Sequence, residues 1–485
     1  MKALAGFVVL TSFMLASIAA GSIGNPADYQ VSYTNGGGSA RAMAMGNAFV
    51  GLANDVSGGI WNPAGLWVLE GPMVSVSYNL YSPAGMFKDN LGWNSIKNDI
   101  DMNAIGHFSF VAPVRIKGHP WVFNFNYNRS NEFSDKMAFL YDSQSGLNPD
   151  KFVNDQGFLR AYNFGGCTRI YKQLSIGFLV NIYDGRRTTE ETRNFVRDSI
   201  INPVYGISVV KFTSDSNLDS TTSNGLNFTL GLMMKGTSYS VGAVARTPYT
   251  MKHSTDHAKF VKTTNNGLPG LDDSDTTYVV DSSAKQDVPL SLTLGGAVFP
   301  IANLTVTADV SYQNYGSTNW YYRTQTFFSA NGDRSDFFTK IPIDWNNTLG
   351  VGIGGEYTLN SPIGQLPLRA GFRFDQLPQP KTITHTTSNV GYVGSTPYPT
   401  EILYTTTKLE GRQNEVTASL GAGIKWSRIG IDVAYRYRTG AEQEFNQYVI
   451  WYDERDTEDP VKSLYINRSM DIKTHEVRFT FTGYF

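Results

Sequence analysis

The stretch LTVTADVSY, residues 304–312, decides the fold. Leu304, Val306, Ala308, Val310 and Tyr312 alternate with Thr305, Thr307, Asp309 and Ser311. A period of two puts one row on each face of a β-strand. One row suits hydrocarbon and the other suits a polar interior. The same alternation recurs at 74–80, 121–127, 174–182, 226–234, 239–245, 288–294, 349–357, 366–374, 416–424, 429–437 and 477–485. Two less regular runs lie near 104–114 and 159–171, the second holding Gly165-Gly166, which predicts a bend or a close approach. The total is about fourteen strands, an even number as in single-chain bacterial barrels.

The connections between these runs alternate short with long. Lys117-Gly118, Lys172-Gln173, Lys235-Gly236-Thr237, Pro300 to Asn303 and Trp426-Ser427-Arg428 are short, whereas 253–285 and 439–470 are long, polar and rich in Ser, Thr, Asn, Asp and Gly. Short turns at one end and long loops at the other mark a transmembrane barrel. A soluble β-sandwich predicts no such alternation. Arg246, Asp309, Glu356, Arg369, Arg373, Asp375, Asp432, Arg436, Arg438 and Arg478 all fall on the rows opposite the apolar ones. Hydrocarbon would reject them, so they are expected to face the lumen. Tyr78, Tyr127, Tyr312, Trp345, Tyr357, Trp426 and Tyr437 sit near strand ends, as interfacial girdles do, and Phe485 falls on the lipid row.

Composition agrees. Of 485 residues, 17% are charged, below the roughly 25% of ordinary soluble domains. The chain carries 29 Phe, 27 Tyr and 8 Trp, yet mean hydropathy is only −0.25. A helical membrane protein would score well above zero. A barrel does not, because every second strand residue can be polar. The net charge of −2 gives no reason to expect a nucleic-acid partner.

Residues 1–20 read as a secretory signal peptide: Lys2, an apolar run from Ala3 to Ala16, and small residues near a cut at Ala19 to Gly21. That run is shorter than the ~20 residues a helical span needs. With it removed, no helical span remains, so the chain crosses as a barrel or not at all. Cys167 stands alone, without an intrachain disulfide partner or metal spacing. His253 and His257 lie four apart but without a helical apolar stripe, so no metal or other cofactor is expected. No nucleophile elbow or metal-ligand pattern appears, and no enzyme activity is expected.

Residues 21–70 do not alternate. Ala40 to Ala53 is rich in Ala and Met and predicts a short packed helix. Asp55 to Gly59 predicts a tight turn, and Asn62-Pro63 an extended or turn geometry. A fourteen-stranded wall is too wide for its own side chains to fill. A compact segment ahead of the first strand is therefore expected to plug it. The domain reading is 1–20 signal peptide, 21–70 plug and 71–485 barrel.

The segment resembles the N-terminal signature of the long-chain fatty acid transporter family (FadL/TodX-like). The resemblance rests on Ala53-Asn54-Asp55 followed by Trp61-Asn62-Pro63-Ala64-Gly65-Leu66. It extends to Ala245 through Lys252, to Leu368 through Phe372 with Asp375 and Pro378, and to Leu420 through Gly423. It implies a fourteen-stranded barrel in the outer membrane of a Gram-negative-type bacterium, with an N-terminal hatch. It also implies passive uptake of hydrophobic small molecules such as fatty acids, and lateral exit into outer-membrane lipid at a kinked third strand. This chain departs there, since Trp121 to Asn128 has no Gly or Pro in its middle.

Within that resemblance, a fatty-acid carboxylate would need a lumenal cation, and Arg246, Arg369 and Arg373 are the candidates. The alternative is an ion-pair network with Asp309, Glu356, Asp375 and Asp432. Asn62, Pro63, Ala64 and Gly65 are expected to shape the hatch. Ile200, Ile201, Val204, Tyr205, Ile207 and Val209 are candidates for an external apolar groove, or else pack on their own rim. The chain is expected to be monomeric. Competing readings are an adaptor that shuttles or anchors secreted proteins at the cell surface, and an unplugged polar porin. A sealed lumen with ordered, projecting loops would favour the adaptor.

Overall fold

The computed structural model describes residues 37–89, 102–132, 135–139, 150–202, 207–265, 274–328, 334–389, 403–452 and 461–485. The signal-peptide segment 1–20 and residues 21–36 of the plug segment lie outside these.

Fourteen strands close the wall: β1 (Met73–Asp89), β2 (Met102–Ile116), β3 (His119–Glu132), β4 (Asp150–Tyr171), β5 (Leu174–Asn202), β6 (Ile207–Lys235), β7 (Tyr239–Arg246), β8 (Ser291–Ile301), β9 (Leu304–Gln313), β10 (Thr348–Ser361), β11 (Gly364–Gln376), β12 (Asn414–Lys425), β13 (Ile429–Tyr452) and β14 (Val461–Tyr484). Each pairs antiparallel with its neighbours in sequence. β14 then returns to β1 in unbroken register, from Met73↔Tyr484 to Asp89↔Arg468. Closure leaves no unpaired edge within hydrocarbon, where an unsatisfied backbone group costs several kcal/mol.

The alternation sets the two faces. Leu294 is 65% exposed and Leu420 62%, whereas Asp309, Arg373 and Arg478 are almost fully buried on the lumen side. Lys117 and Gly118 both have positive φ, the geometry that a two-residue hairpin turn demands. Among the described residues no helix is long and apolar enough to cross a membrane.

The long connections differ from expectation. Most of their described length is β-structure. β5 and β6 each run for 29 residues, well beyond the 9–11 that cross a bilayer. The segment after β7 forms a hairpin, 249–265 against 274–288, that rides on the extension of β6. Further hairpins pair 319–328 with 334–342, and 382–389 with 403–410. Their Ser, Thr and Asn content reads as loop. Once an edge is paired, however, polar alternating residues extend a ladder readily.

β3 is paired to β2 from His119 to Asn128 and to β4 from Trp121 to Glu132, with one irregularity between Arg129 and Asn131. The side opening implied by the resemblance is thus not formed along Trp121 to Asn128. Gly165-Gly166 continues both ladders without a shift of register. It is a place of close approach, where a Cβ on Gly165 would lie 2.0 Å from the Phe178 carbonyl oxygen.

Candidate functional site

Inside the wall, at the end where the turns are short, sits the segment from Gly37 to Leu69. Its helix α1 (Ala40–Ala44) is a single turn capped by Ser39, whose hydroxyl accepts from the Ala42 N–H. The expected helix over 40–53 stops there. Gly46 and Asn47 take positive φ, and the chain turns back on itself to Ala53. The Asp55 side chain accepts from Ser57 N–H at 2.9 Å and makes the anticipated turn. It leads into α2 (Gly58–Trp61). Asn62 is extended, as a residue before proline should be, and its side chain caps the 3-10 helix Pro63–Val68 by accepting from Ala64 N–H at 3.1 Å.

Nearly every residue of this plug is buried. Phe49 and Trp61 meet edge to face at 6.4 Å, within a cluster that includes Met45 and Leu52. So short a segment cannot pair all its own backbone groups, and lumenal side chains take over. Asp309 accepts from the Phe49 and Val50 N–H groups at 2.7 and 2.8 Å. Arg478 donates to the Gly37 and Gly38 carbonyls, and Arg246 to the Ile60 carbonyl at 3.0 Å. Ser175, Thr307 and Ser419 donate to the Ala64, Ala48 and Ala44 carbonyls. Asn62 spans both bodies, donating to Val50 of the plug and Leu232 of β6. The seat itself is lined by lumenal glycines. A Cβ on Gly371 would lie 2.0 Å from the Gly46 nitrogen, and one on Gly231 would lie 2.3 Å from the Asn62 Oδ1.

One ion-pair chain ties plug to wall. Arg41 grips Glu356 with two bonds of 2.8 Å, Glu356 also accepts from Arg369 at 2.5 Å, and Arg369 reaches Asp432 at 2.6 Å. Burial disfavours the Arg41 charge, but Glu356, with Asp55 and Asp432, more than offsets this and holds the guanidinium protonated. Burial pushes the Asp55 carboxyl above its usual range, against the pull of Arg41. These residues line a cavity of about 260 Å³ that also touches Lys425 of β12 and Tyr484 of β14.

Above the plug the lumen is layered. An amide chain runs from Asn163 to Asn181 and on to Asn227 and Thr229, at 2.6 to 2.8 Å. Next come Leu159, Ala161, Tyr183, Met251 and Val288 with Tyr249, whose ring stacks on Tyr183 at 5.1 Å. Above that lie the pairs Arg187–Asp155 and His257–Asp219.

The three candidate arginines are not gathered round one void. Arg246 holds Ile60, Arg369 bridges Glu356 and Asp432, and Arg373 binds Asp375 and Ser311. Asn62, Pro63, Ala64 and Gly65 are all buried in the plug seat. Of the groove candidates, Val204 and Tyr205 lie outside the described residues. Ile200, Ile201, Ile207 and Val209 belong to the tips of β5 and β6, where only the backbone is described. Sequence reasoning missed Arg41, because it stands in a non-repeating segment, and Tyr183 with Met251, because their strands bring them together from distant positions.

A closed fourteen-stranded wall with lipid-facing rows and a lumen stopped by its own N-terminal segment defines a plugged outer-membrane transport barrel. The chain belongs to the family of outer membrane protein transport proteins (OMPP1/FadL/TodX), whose model matches residues 17–388. Among solved structures it is similar to the Pseudomonas putida toluene transporter TodX, with TM-score 0.58 and 16% identity, covering 93% of this chain and 99% of that one. It is also similar to a Pseudomonas aeruginosa FadL homologue, with TM-score 0.55 and 15% identity over 93% and 99% of the two chains. No curated protein matches by sequence. The protein is accordingly an outer-membrane protein of a Gram-negative bacterium, and its family is one of transport proteins.

Proposed function

We propose that the protein is a channel for passive uptake of hydrophobic compounds, such as long-chain fatty acids or monoaromatic hydrocarbons, gated by its N-terminal hatch. The observation that carries this reading is the plug. Among the described residues every hydrogen bond between plug and wall involves a side chain and no backbone ladder joins the two, so the plug can shift without breaking the barrel ladder. The apolar layer of Tyr183, Tyr249 and Met251, beyond the amide chain that caps the plug, supports an apolar solute. The similarity to a toluene transporter points the same way.

Arg246, Arg369 and Arg373 act in this reading as anchors. To meet a substrate carboxylate they would first give up buried partners, and breaking one buried pair costs about 3–5 kcal/mol. Long ordered hairpins beyond the bilayer favour a second reading, an adaptor that presents or anchors secreted proteins at the cell surface.

The test is uptake of labelled fatty acid, toluene and alkane by cells lacking their own transporter, with and without this protein. Uptake that requires the protein, and falls when Asn62 to Gly65 is altered in a still-folded barrel, is expected. An inserted barrel that moves none of the three would sink the channel reading in favour of the adaptor.

A further inference from the structure

The hairpins that ride on β6 bring one row of side chains together on the outer face of the sheet. Asn224 of β6 pairs with Lys252, Lys252 with Lys285, Lys285 with Tyr321, and Tyr321 with Lys340. Directly opposed residues point to the same side of a sheet, with Cβ atoms about 5 Å apart. That side is the outer one, because the alternate positions Met251, His253, Gln286 and Trp320 are buried on the lumen side. Lysines drawn from three strands thus share one row, and two of them face each other directly.

Like charges so placed repel. Among the described residues none of the three lysines makes a salt bridge, and the carboxylates on strand 274–288 are engaged elsewhere. Asp287 accepts from the Asn319 amide at 2.9 Å and from the Tyr321 hydroxyl at 3.3 Å. Asp281 is held by Arg323 at 2.9 Å and stands opposite Asp256, four residues beyond Lys252. Lys285 lies with its Nζ 3.7 Å from the centre of the Phe338 ring, which keeps the ammonium group against the sheet. Lys252 and Lys340 are exposed. Toward the bilayer from this row, Leu226 and Leu290 are exposed on the lipid rows, 49% and 38%. Apolar surface that can hold acyl chains therefore gives way to ammonium groups without ion-pair partners, on the side of the barrel away from the short turns.

We propose that this row binds a phosphorylated glycolipid of the outer leaflet, of the lipid A type. Its phosphomonoester sits between Lys252 and Lys285 with Lys340 beside them, and its acyl chains run over Leu226 and Leu290. Charge complementarity decides the class. A lysine serves phosphate as a point charge, and a phosphomonoester, with about two negative charges at neutral pH, relieves the repulsion of two opposed lysines. A zwitterionic headgroup does not. Position decides the source, since free phosphate gains nothing from the apolar rows beside the lysines. Such a site serves a channel and an adaptor alike.

The purified barrel is titrated in detergent with lipid A and with lipid A stripped of its phosphates, and bound lipid is counted by native mass spectrometry. Lys252→Gln with Lys285→Gln and Lys340→Gln is expected to lower the affinity for lipid A roughly tenfold or more. The reference variant, Arg115→Gln with Lys117→Gln and Lys172→Gln, removes three exposed cations at the short-turn end and is expected to bind like the parent. Stripped lipid A, an arm that needs no variant, is expected to bind the parent no better than intact lipid A binds the lysine variant. Intact lipid A should also raise the temperature at which the parent loses its folded migration, and leave that of the folded lysine variant unchanged. A folded lysine variant with the parent's affinity overturns the proposal, as does equal binding of stripped lipid A by the parent. Phosphatidylglycerol held as tightly as lipid A overturns the glycolipid assignment and makes the row a general anionic surface.

Discussion

Gly371 of β11 faces the plug so closely that its missing side chain is part of the seat. A Gly371→Val barrel still presents its lipid rows unchanged, so it should insert, but the plug cannot occupy its place. Faster proteolysis within residues 37–69, with normal heat-modifiable migration of the barrel, is the expected result. Protection equal to the parent would show that the seat relaxes. Glu356 is the second residue of this kind, shared between Arg41 of the plug and Arg369 of the wall. Glu356→Ala leaves two buried guanidinium groups short of a partner, a loss of about 3–5 kcal/mol for a broken buried pair. Denaturant unfolding of the purified barrel measures it, and Arg41→Ala in the same background should recover part of the loss. Asp309 is legible in the sequence as a lumenal charge. That it accepts from two plug N–H groups was not, because the acceptor and its donors lie some 260 positions apart.

At the scale of the element, alternation makes opposite predictions for neighbouring positions. Leu294 of β8 points to lipid and Thr293 to the lumen. Leu294→Arg should cost the barrel about 2–4 kcal/mol if it lies at the bilayer midplane. Thr293→Arg should cost less in a folding titration from urea into vesicles. Equal penalties would mean that the register is wrong by one residue. The strands themselves were readable because period two is local and repeated a dozen times. Their upper halves were not. Segments such as 249–265 are polar on both rows, and polar alternation looks like loop until a neighbouring edge, here β6, is known to be available. The plug helix was over-read for a related reason. Ala and Met favour helix over 40–53, but wall side chains bind the backbone of residues 44–51 and override that preference.

For the molecule as a whole, a wall of fourteen strands encloses more space than its side chains fill. The plug should therefore be what keeps the barrel tight to ions. Removing residues 37–69 from a folded protein in planar bilayers should raise conductance roughly tenfold or more over the intact form. Little change would mean that the layers above the plug, Asn163–Asn181–Asn227 and Tyr183–Tyr249, already close the lumen.

The class of fold, the inward and outward rows, the membrane and the existence of a plug were all determined by the sequence alone. Each is a consequence of local period or of composition, and a membrane admits few solutions. The tertiary structure decided the rest. It placed Arg246, Arg369 and Arg373 on separate internal partners, and laced β3 into the wall where the resemblance implied a side gap. Those facts depend on which strands become neighbours and in what register. Pairing across a closed sheet is a long-range property that no local pattern carries.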